Sequence, residues 1–385
     1  MRMGGMVRSA FLTAFYGLCA VSLGSAQQIR FAYPVPPESS YKVIKDVEYG
    51  KSPSGRLLMD VYRPATGTRH PTLIFFNIAS GAERSNPFYA SWARVVASKG
   101  ITAILPDLRM ETAVQDYVAL HEYLAKYTGE EAGIDRNAVA LYAGSGNVSR
   151  ALPIVQDRRS TLIKSAVMYY GSASVTQFRE DLPVLYVRGG LDRPAVNRGI
   201  DSIVANALSQ NAPVTLLNYP GGYHAFEMRN DDEQSRRVID QTIEFVKTTT
   251  AAEYQSALRR NVRESVAAGH VMGGRFHEAA AAYAELVSTA PENHTLRLAY
   301  GEALLGDKQF GAACDELEKL KGKGLGYRDL GIPAARACMQ KGDTNAAIAW
   351  LQSIPVRFRP MELFDDPIFA PIKDRAEFKA LFEGR

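Results

Sequence analysis

The chain has 385 residues, too many for one ordinary hydrophobic core, so two domains are expected. With 46% hydrophobic and 22% charged residues it has globular composition, which excludes a disordered chain. The net charge of +4 is spread without runs, which argues against a nucleic-acid-binding stripe or a polybasic membrane patch.

The first segment reads as a targeting signal. "MRMGGMVRSA" carries Arg2 and Arg8, "FLTAFYGLCAVSLG" is a short apolar run, and "GSA" supplies small residues before Gln27. A basic start, an apolar centre and a small-residue cleavage site describe a secretory signal over residues 1–26. The run is short for a bilayer span, which takes about 20 residues. A membrane anchor or a buried first helix is the alternative. Cys19 does not follow a lipobox-like set of small residues. The mature chain is expected outside the cytoplasm, periplasmic or secreted, with no stable membrane span after cleavage.

A first domain is expected over residues 27–249, and from about Tyr41 to Lys247 it alternates strand-like and helix-like segments. The strand candidates are "YKVIKDVEY", "GRLLMDVYRP", "PTLIFFNI", "ITAILPDL", "NAVALYAG", "SAVMYYG", "PVLYVRG" and "PVTLLNYP". The later ones are nearly continuous apolar runs, the pattern of parallel strands covered on both faces. The first two flank "GKSPSG" and read as a hairpin. "SNPFYASWARVVASKG" has Asn86 as N-cap, Pro87 at the first helical position and Gly100 beyond the end. "DDEQSRRVIDQTIEFVK" starts with acids and places Ile239, Ile243 and Val246 on one face. The fold class is α/β: a doubly wound, mostly parallel sheet with an antiparallel start.

Residues 250–385 read as helix only and are rich in alanine. Phe276, Ala279 and Tyr283 recur 34 residues on as Phe310, Ala313 and Leu317, and again as Thr344, Ala347 and Leu351. Glycine-containing turns, "GGRF", "GDK" and "GDTN", sit near the middle of each unit, and Pro291 closes the first. This resembles the tetratricopeptide repeat, in which small residues let paired helices approach. The usual tryptophan and tyrosine of the first helix are missing, so an alanine-rich bundle is the alternative. Such repeats would dock a protein partner or shape the cleft. "DPIFAPIKDRAEFKALF" reads as a cap, with Phe378, Leu381 and Phe382 inward. Cys314 and Cys338 are the only cysteines after residue 26; an exported chain can bridge them, but sequence leaves their pairing open.

"LYAGSGNVSR", Leu141–Arg150, carries the chemistry. Ser145 follows an apolar strand and precedes a helical segment near Asn147, which is the setting of a nucleophile elbow. A helix start there offers unpaired N–H groups to a developing oxyanion. A serine hydroxyl needs a base. The α/β half holds His70, His121 and His224. His70 precedes a strand, at the wrong sheet edge, and His121 sits inside an amphipathic helical segment. His224, in "NYPGGYHAFE", follows the last strand on the carboxyl edge, with Gly221 and Gly222 to bend the loop. Asp192 ends "PVLYVRGGLD" on the same edge and would fix the imidazole tautomer. Asp107 and Arg109 in "LPDLR" read as a structural ion pair and loop anchor rather than as substrate ligands.

The order Ser145, Asp192, His224 is the Ser…Asp…His order of α/β-hydrolases. Residues 41–247 resemble that superfamily, nearest its dienelactone hydrolase-like branch, through "YYG", "GGLDRP" and "YPGGYHAFE". The resemblance implies hydrolysis of a small-molecule ester or related acyl bond through an acyl-enzyme. Ser145 would be the nucleophile, His224 the base and Asp192 its partner. The backbone N–H groups of Gly146 and of Ile78, after "LIFF", would form the oxyanion hole. Ala143 and Asn147 replace the outer glycines of G-x-S-x-G, and asparagine is expected to tolerate unusual backbone angles or cap the helix. "NIASG" replaces a histidine-glycine run. The proper dienelactone hydrolases carry cysteine where Ser145 stands, so their lactone is not implied. The short segment Gly171–Leu182 leaves little room for a lid, which points to an open cleft and small or water-soluble substrates. No metal site or organic cofactor is implied. The rival reading is a non-catalytic binding or scaffold protein on a degenerate hydrolase fold.

Overall fold

The computed structural model describes residues 31–79 and 83–383. The expected signal over 1–26, Gln27, and Ser80 and Gly81 of the "NIASG" loop lie outside the described residues.

Among the described residues, ten strands and seven α-helices run up to residue 272. They run β1 (Tyr41–Ser52), β2 (Gly55–Pro64), β3 (His70–Phe75), β4 (Ile78–Ala79), α1 (Pro87–Ser98), β5 (Thr102–Pro106), β6 (Leu108–Arg109), α2 (Ala113–Lys126) and β7 (Ile134–Gly144). Then come α3 (Val148–Gln156), β8 (Ile163–Tyr169), β9 (Val184–Gly189), α4 (Pro194–Ser209), β10 (Val214–Tyr219), α5 (Phe226–Arg229), α6 (Glu233–Thr250) and α7 (Ala252–Met272). Eight strands form one sheet in the order β1-β2-β5-β3-β7-β8-β9-β10. β2 is antiparallel to both β1 and β5, and every other neighbouring pair is parallel. This is the mostly parallel α/β sheet with an antiparallel start that the strand pattern called for. β4 and β6 add a two-residue parallel ladder beyond the ends of β3 and β5.

Both sheet faces are covered, so side chains alternate between two cores. Along β7, Leu141 and Ala143 join the layer of α2, α3 and α4, while Ala140 and Tyr142 join that of α1 and α6. The helix ends follow local chemistry. The Asn86 side chain accepts from the Phe88 N–H ahead of α1, and Asp232 accepts from the Ser235 N–H ahead of α6.

The topology fixes where a ligand can sit. From β3 the chain goes to β5 on one side, then crosses to β7 on the other. The connections leaving β3 and β7 therefore diverge, α1 onto one face and α3 onto the opposite face. A crevice opens at that switch point, at the carboxyl ends of the strands. Ile78 and Ser145 leave the sheet on either side of it.

The rest is helical: α8 (Phe276–Thr289), α9 (His294–Gly306), α10 (Phe310–Glu318), α11 (Tyr327–Lys341), α12 (Thr344–Ser353) and short closing turns. The recurring residues Phe276, Phe310 and Thr344 open α8, α10 and α12, and Ala279, Ala313 and Ala347 are fully buried. Glycines allow the close approach: a Cβ on Gly306 would strike the Phe276 ring, and one on Gly301 would strike Leu317. Cys314 and Cys338 are joined by a disulfide that ties α10 to α11. Phe378, Leu381 and Phe382 are buried in this second core, which begins at Ala267.

The expected boundary at 249/250 falls inside a packed junction. Thr249 and Thr250 are 3% and 2% exposed, and the Thr249 hydroxyl donates to Ser165 Oγ. The Gln255 amide donates to the carbonyls of Lys164 and Thr249. α7 thus belongs to both parts: its first turn is stitched to the sheet and its last turns enter the helical core. Among the described residues no helix is long and apolar enough to cross a membrane.

Candidate active site

Ser145 sits where β7 turns into a short 3-10 segment, Ser145–Asn147, that runs on into α3. Its φ is +55°, a conformation that is strained for a residue with a Cβ and that turns the hydroxyl away from the sheet. The strain is locked from below. A Cβ on Gly171, at the end of β8, would collide with the Ser145 carbonyl oxygen and with Val148. The glycine that this turn requires therefore lies just past the neighbouring strand β8, inside "YYG", and not in the serine stretch itself. Ala143 is fully buried and needs no special backbone.

Asn147 departs from expectation in two ways. Its backbone is ordinary, φ −66° and ψ −27°, and its side chain makes no capping bond to α3. The carboxamide instead reaches across the crevice. Asn147 Oδ1 accepts the Ile78 N–H at 3.1 Å, and Nδ2 donates to the Tyr89 hydroxyl at 3.2 Å. The Ile78 N–H, expected to be open to an oxyanion, is thus held by a side chain. The Gly146 N–H lies in the first turn of the helical segment, where backbone donors have no helical partner.

Asp192 and His224 arrive on the loops after β9 and β10. Those loops pack backbone to backbone: Gly190 N–H donates to the Tyr219 carbonyl at 2.8 Å and Leu191 N–H to that of Gly222 at 2.9 Å. A Cβ on Gly190 would strike the Pro220 backbone, so the close approach needs glycine there. Phe226, fully buried and stacked on Tyr169, anchors the chain just after His224. Burial of such a ring contributes about 1.5–3 kcal/mol. Ala225 between them has φ +56°, a second strained residue.

The result is one hydrogen-bonded line. Ser145 Oγ lies 2.7 Å from His224 Nε2, and His224 Nδ1 lies 2.7 Å from Asp192 Oδ2. The Asp192 side chain is fully buried, and its other oxygen accepts the Arg193 N–H at 2.6 Å. A carboxylate only accepts, so the proton shared with it sits on Nδ1. On an imidazole with its proton at Nδ1, Nε2 is free to accept from the serine hydroxyl.

The residues around this line were not singled out by sequence. The Tyr170 ring packs on the His224 imidazole with centroids 4.7 Å apart, and its φ is +32°. The Tyr170 hydroxyl donates to Glu227 Oε1 at 3.1 Å, joined there by the Tyr142 hydroxyl and the Trp92 indole, each at 3.3 Å. Glu227 is fully buried. Burial pushes its carboxyl up to about 7, against the pull of its own backbone and of these three donors. Spacing could have flagged it only as an acid three residues beyond His224.

The line opens into a cavity of about 800 Å³, walled by Phe88, Tyr89, Met110 and Met228 and by the turn itself. Tyr170, just past β8, is part of its lining, and no residue of the segment 171–182 is. The remaining candidates lie elsewhere. His70 begins β3, at the opposite sheet edge, and burial lowers its pKa. His121, on α2, is also lowered by burial and lines a separate hollow with Tyr117 and Ile154. Asp107 pairs with Arg84 Nε at 2.8 Å, while Arg109 is bound by Asp116, so each is an anchor with its own partner.

No protein-family model matches the sequence, and no curated protein matches it. Solved structures similar to the chain include a hyperthermophilic esterase from the archaeon Pyrobaculum calidifontis, at 16% identity and a TM-score of 0.43, over 55% of this chain and 84% of that one. Esterase B from Lactobacillus rhamnosis is 15% identical with a TM-score of 0.45, over 57% of this chain and 91% of its own. A fungal esterase from Rhizomucor miehei is 15% identical with a TM-score of 0.45, over 55% and 85%.

Proposed function

We propose that the chain is an exported serine hydrolase that cleaves an ester or related acyl bond through an acyl-enzyme. The observation that carries this reading is the line from Ser145 Oγ through His224 to buried Asp192, at 2.7 Å per step, at the foot of an open cavity. Ser145 Oγ attacks the acyl carbon while its proton passes to His224 Nε2. Asp192 stabilises the imidazolium. The tetrahedral oxyanion takes the Gly146 N–H and the Ile78 N–H. Collapse expels the alcohol, which receives the proton from Nε2. Water then repeats the sequence on the acyl-enzyme, releases the acid and restores Ser145. The open cavity favours small or water-soluble acyl substrates of the carboxylesterase or dienelactone hydrolase-like kind. Export is supported by the basic and apolar start of the chain and by the Cys314–Cys338 bridge, a bond of oxidising compartments.

The test is labelling by a fluorophosphonate together with hydrolysis of short p-nitrophenyl esters. Wild type is expected to do both, and Ser145→Ala to lose both while melting normally. Failure of the folded wild type in both assays would return the chain to the scaffold reading, which the occupied Ile78 N–H favours.

A further inference from the structure

Two residues that line the cavity beside Ser145, Gly146 and Ile78, bring a backbone N–H from either side of the switch point. Gly146 N–H comes from the start of the helical segment after β7. Ile78 N–H comes from the start of β4, three residues past β3. Only the second is occupied, and by an unusual partner: the side chain two residues after Ser145.

A carboxamide oxygen is the same kind of acceptor as the carbonyl oxygen of an ester. Asn147 Oδ1 therefore stands in for the substrate carbonyl at the Ile78 N–H. It is also braced, because Nδ2 of the same amide donates to the Tyr89 hydroxyl on α1. Ile78, Tyr89, Asn147, Gly146, Ser145 and His224 all line the one cavity, so this bond lies in the reaction space and not behind it.

We propose that Asn147 is a positioning residue that latches the Ile78 N–H at rest and yields it only to the charged oxygen of the tetrahedral intermediate. This rests on the serine-hydrolase reading above. A neutral ester carbonyl is no stronger an acceptor than the Asn147 amide, so ground-state binding does not open the latch. An oxyanion makes a charge-assisted bond, roughly twice as strong, and wins the donor. The second half of the oxyanion hole is thus assembled in the transition state and withheld from the substrate. The physical consequence is specific. Removing the latch lets the neutral carbonyl and the oxyanion both use the donor, and interactions gained equally in ground and transition states change KM and not kcat.

The test compares wild type with Asn147→Ala and Asn147→Asp on a short neutral p-nitrophenyl ester. Asn147→Ala is expected to raise kcat/KM by roughly 2- to 10-fold through KM, with kcat within about twofold, the factor set by one net hydrogen bond. Asn147→Asp keeps an acceptor at the donor and sets a negative charge beside the oxyanion; kcat is expected to fall by about 100-fold or more. A purely structural Asn147 would give an alanine variant with lower kcat and unchanged or higher KM, and that outcome overturns the latch. The second measurement needs no variant: the crystal structure of wild type with an alkylboronic acid on Ser145. A boronate oxygen on the Ile78 N–H, with Asn147 Oδ1 turned away, is expected; an intact Ile78–Asn147 bond in that complex overturns the proposal. A folded wild type that neither labels nor hydrolyses fails the underlying reading as well, whereas an active wild type with a slower alanine variant fails the latch alone.

Discussion

The sheet-based part and the helical part treat strain and buried polarity differently. Of the six non-glycine residues with positive φ among the described residues, Ser145, Tyr170 and Ala225 ring one cavity, and the helical part contributes only Lys308, in a turn. Buried polar groups divide the same way. Around the cavity, Asp192 serves a histidine and Glu227 gathers two tyrosines and a tryptophan. In the helical part, buried Arg359 donates to the carbonyls of Leu351, Ile354 and Leu381, and so clamps the closing turns onto the last helix pair. One region uses buried polarity to hold the Ser145–His224–Asp192 line and its surroundings, the other to end a fold. Strain persists where surrounding structure over-determines it, and it gathers where chemistry is to be done.

That contrast can be broken by substitutions on each side. The largest effect is expected from Asp192→Asn, which leaves the shape intact but puts the wrong tautomer on His224; kcat on p-nitrophenyl acetate should fall by about 10⁴-fold with little change in melting. Gly171→Ala comes next. Its methyl would push into the Ser145 carbonyl and Val148, so activity should fall by about 100-fold, and overpacking should cost about 1–3 kcal/mol in chemical denaturation. An alanine variant of full activity would show that the serine turn is not locked from β8.

On the helical side, Cys314→Ser with Cys338→Ser opens a loop of sequence separation 24 and should lower the stability of that part by about 3 kcal/mol. Ester hydrolysis should stay within about twofold of wild type. A parallel loss of activity would show that the two cores act as one through α7. The smallest effect is on pH. Glu227 has a folded pKa of about 7, raised from 4.5, so the folded state holds its proton more tightly than the unfolded state does. Its contribution is therefore full below about pH 4.5 and is lost as pH rises through about 7. Wild-type stability should decline by about 2 kcal/mol between about pH 5.5 and 7.5 from this group, and Glu227→Gln, a mimic of the protonated form, should remove that part of the slope. An unchanged slope would mean that the carboxyl is already ionised in its pocket.

Much of the architecture was legible. Runs bounded by turn residues marked all eight strands of the main sheet, the central ones most plainly because a doubly covered parallel strand has no polar face to confuse the pattern. Asn86 and the acids before α6 marked helix starts because capping is local. The 34-residue spacing marked the openings of α8, α10 and α12, since each repeats the same packing problem. Ser145, Asp192 and His224 could be chosen together because each follows its own strand on one edge, and the structure puts them within hydrogen-bond reach of one another. The role of Asn147 was not legible. A side chain that bonds across a crevice to a residue 69 positions earlier leaves no local signature. The junction at α7 escaped for a related reason, since Gln255 looks like any helical surface residue until Lys164 is placed beside it.

By itself, then, the sequence determined which segments are strands, which are helices, where the chain turns and which residues reach the carboxyl edge of the sheet. These are decided by periodicity and by side chains acting on backbone within a few residues. Only the tertiary structure decided that the glycine supporting Ser145 lies just past β8, that Cys314 meets Cys338, that Glu227 shares its oxygen with Tyr142, Tyr170 and Trp92, and that Asn147 holds the Ile78 N–H. Each of those depends on two strands or helices being packed side by side, and the distance between such neighbours is set by the whole core and not by the residues that meet.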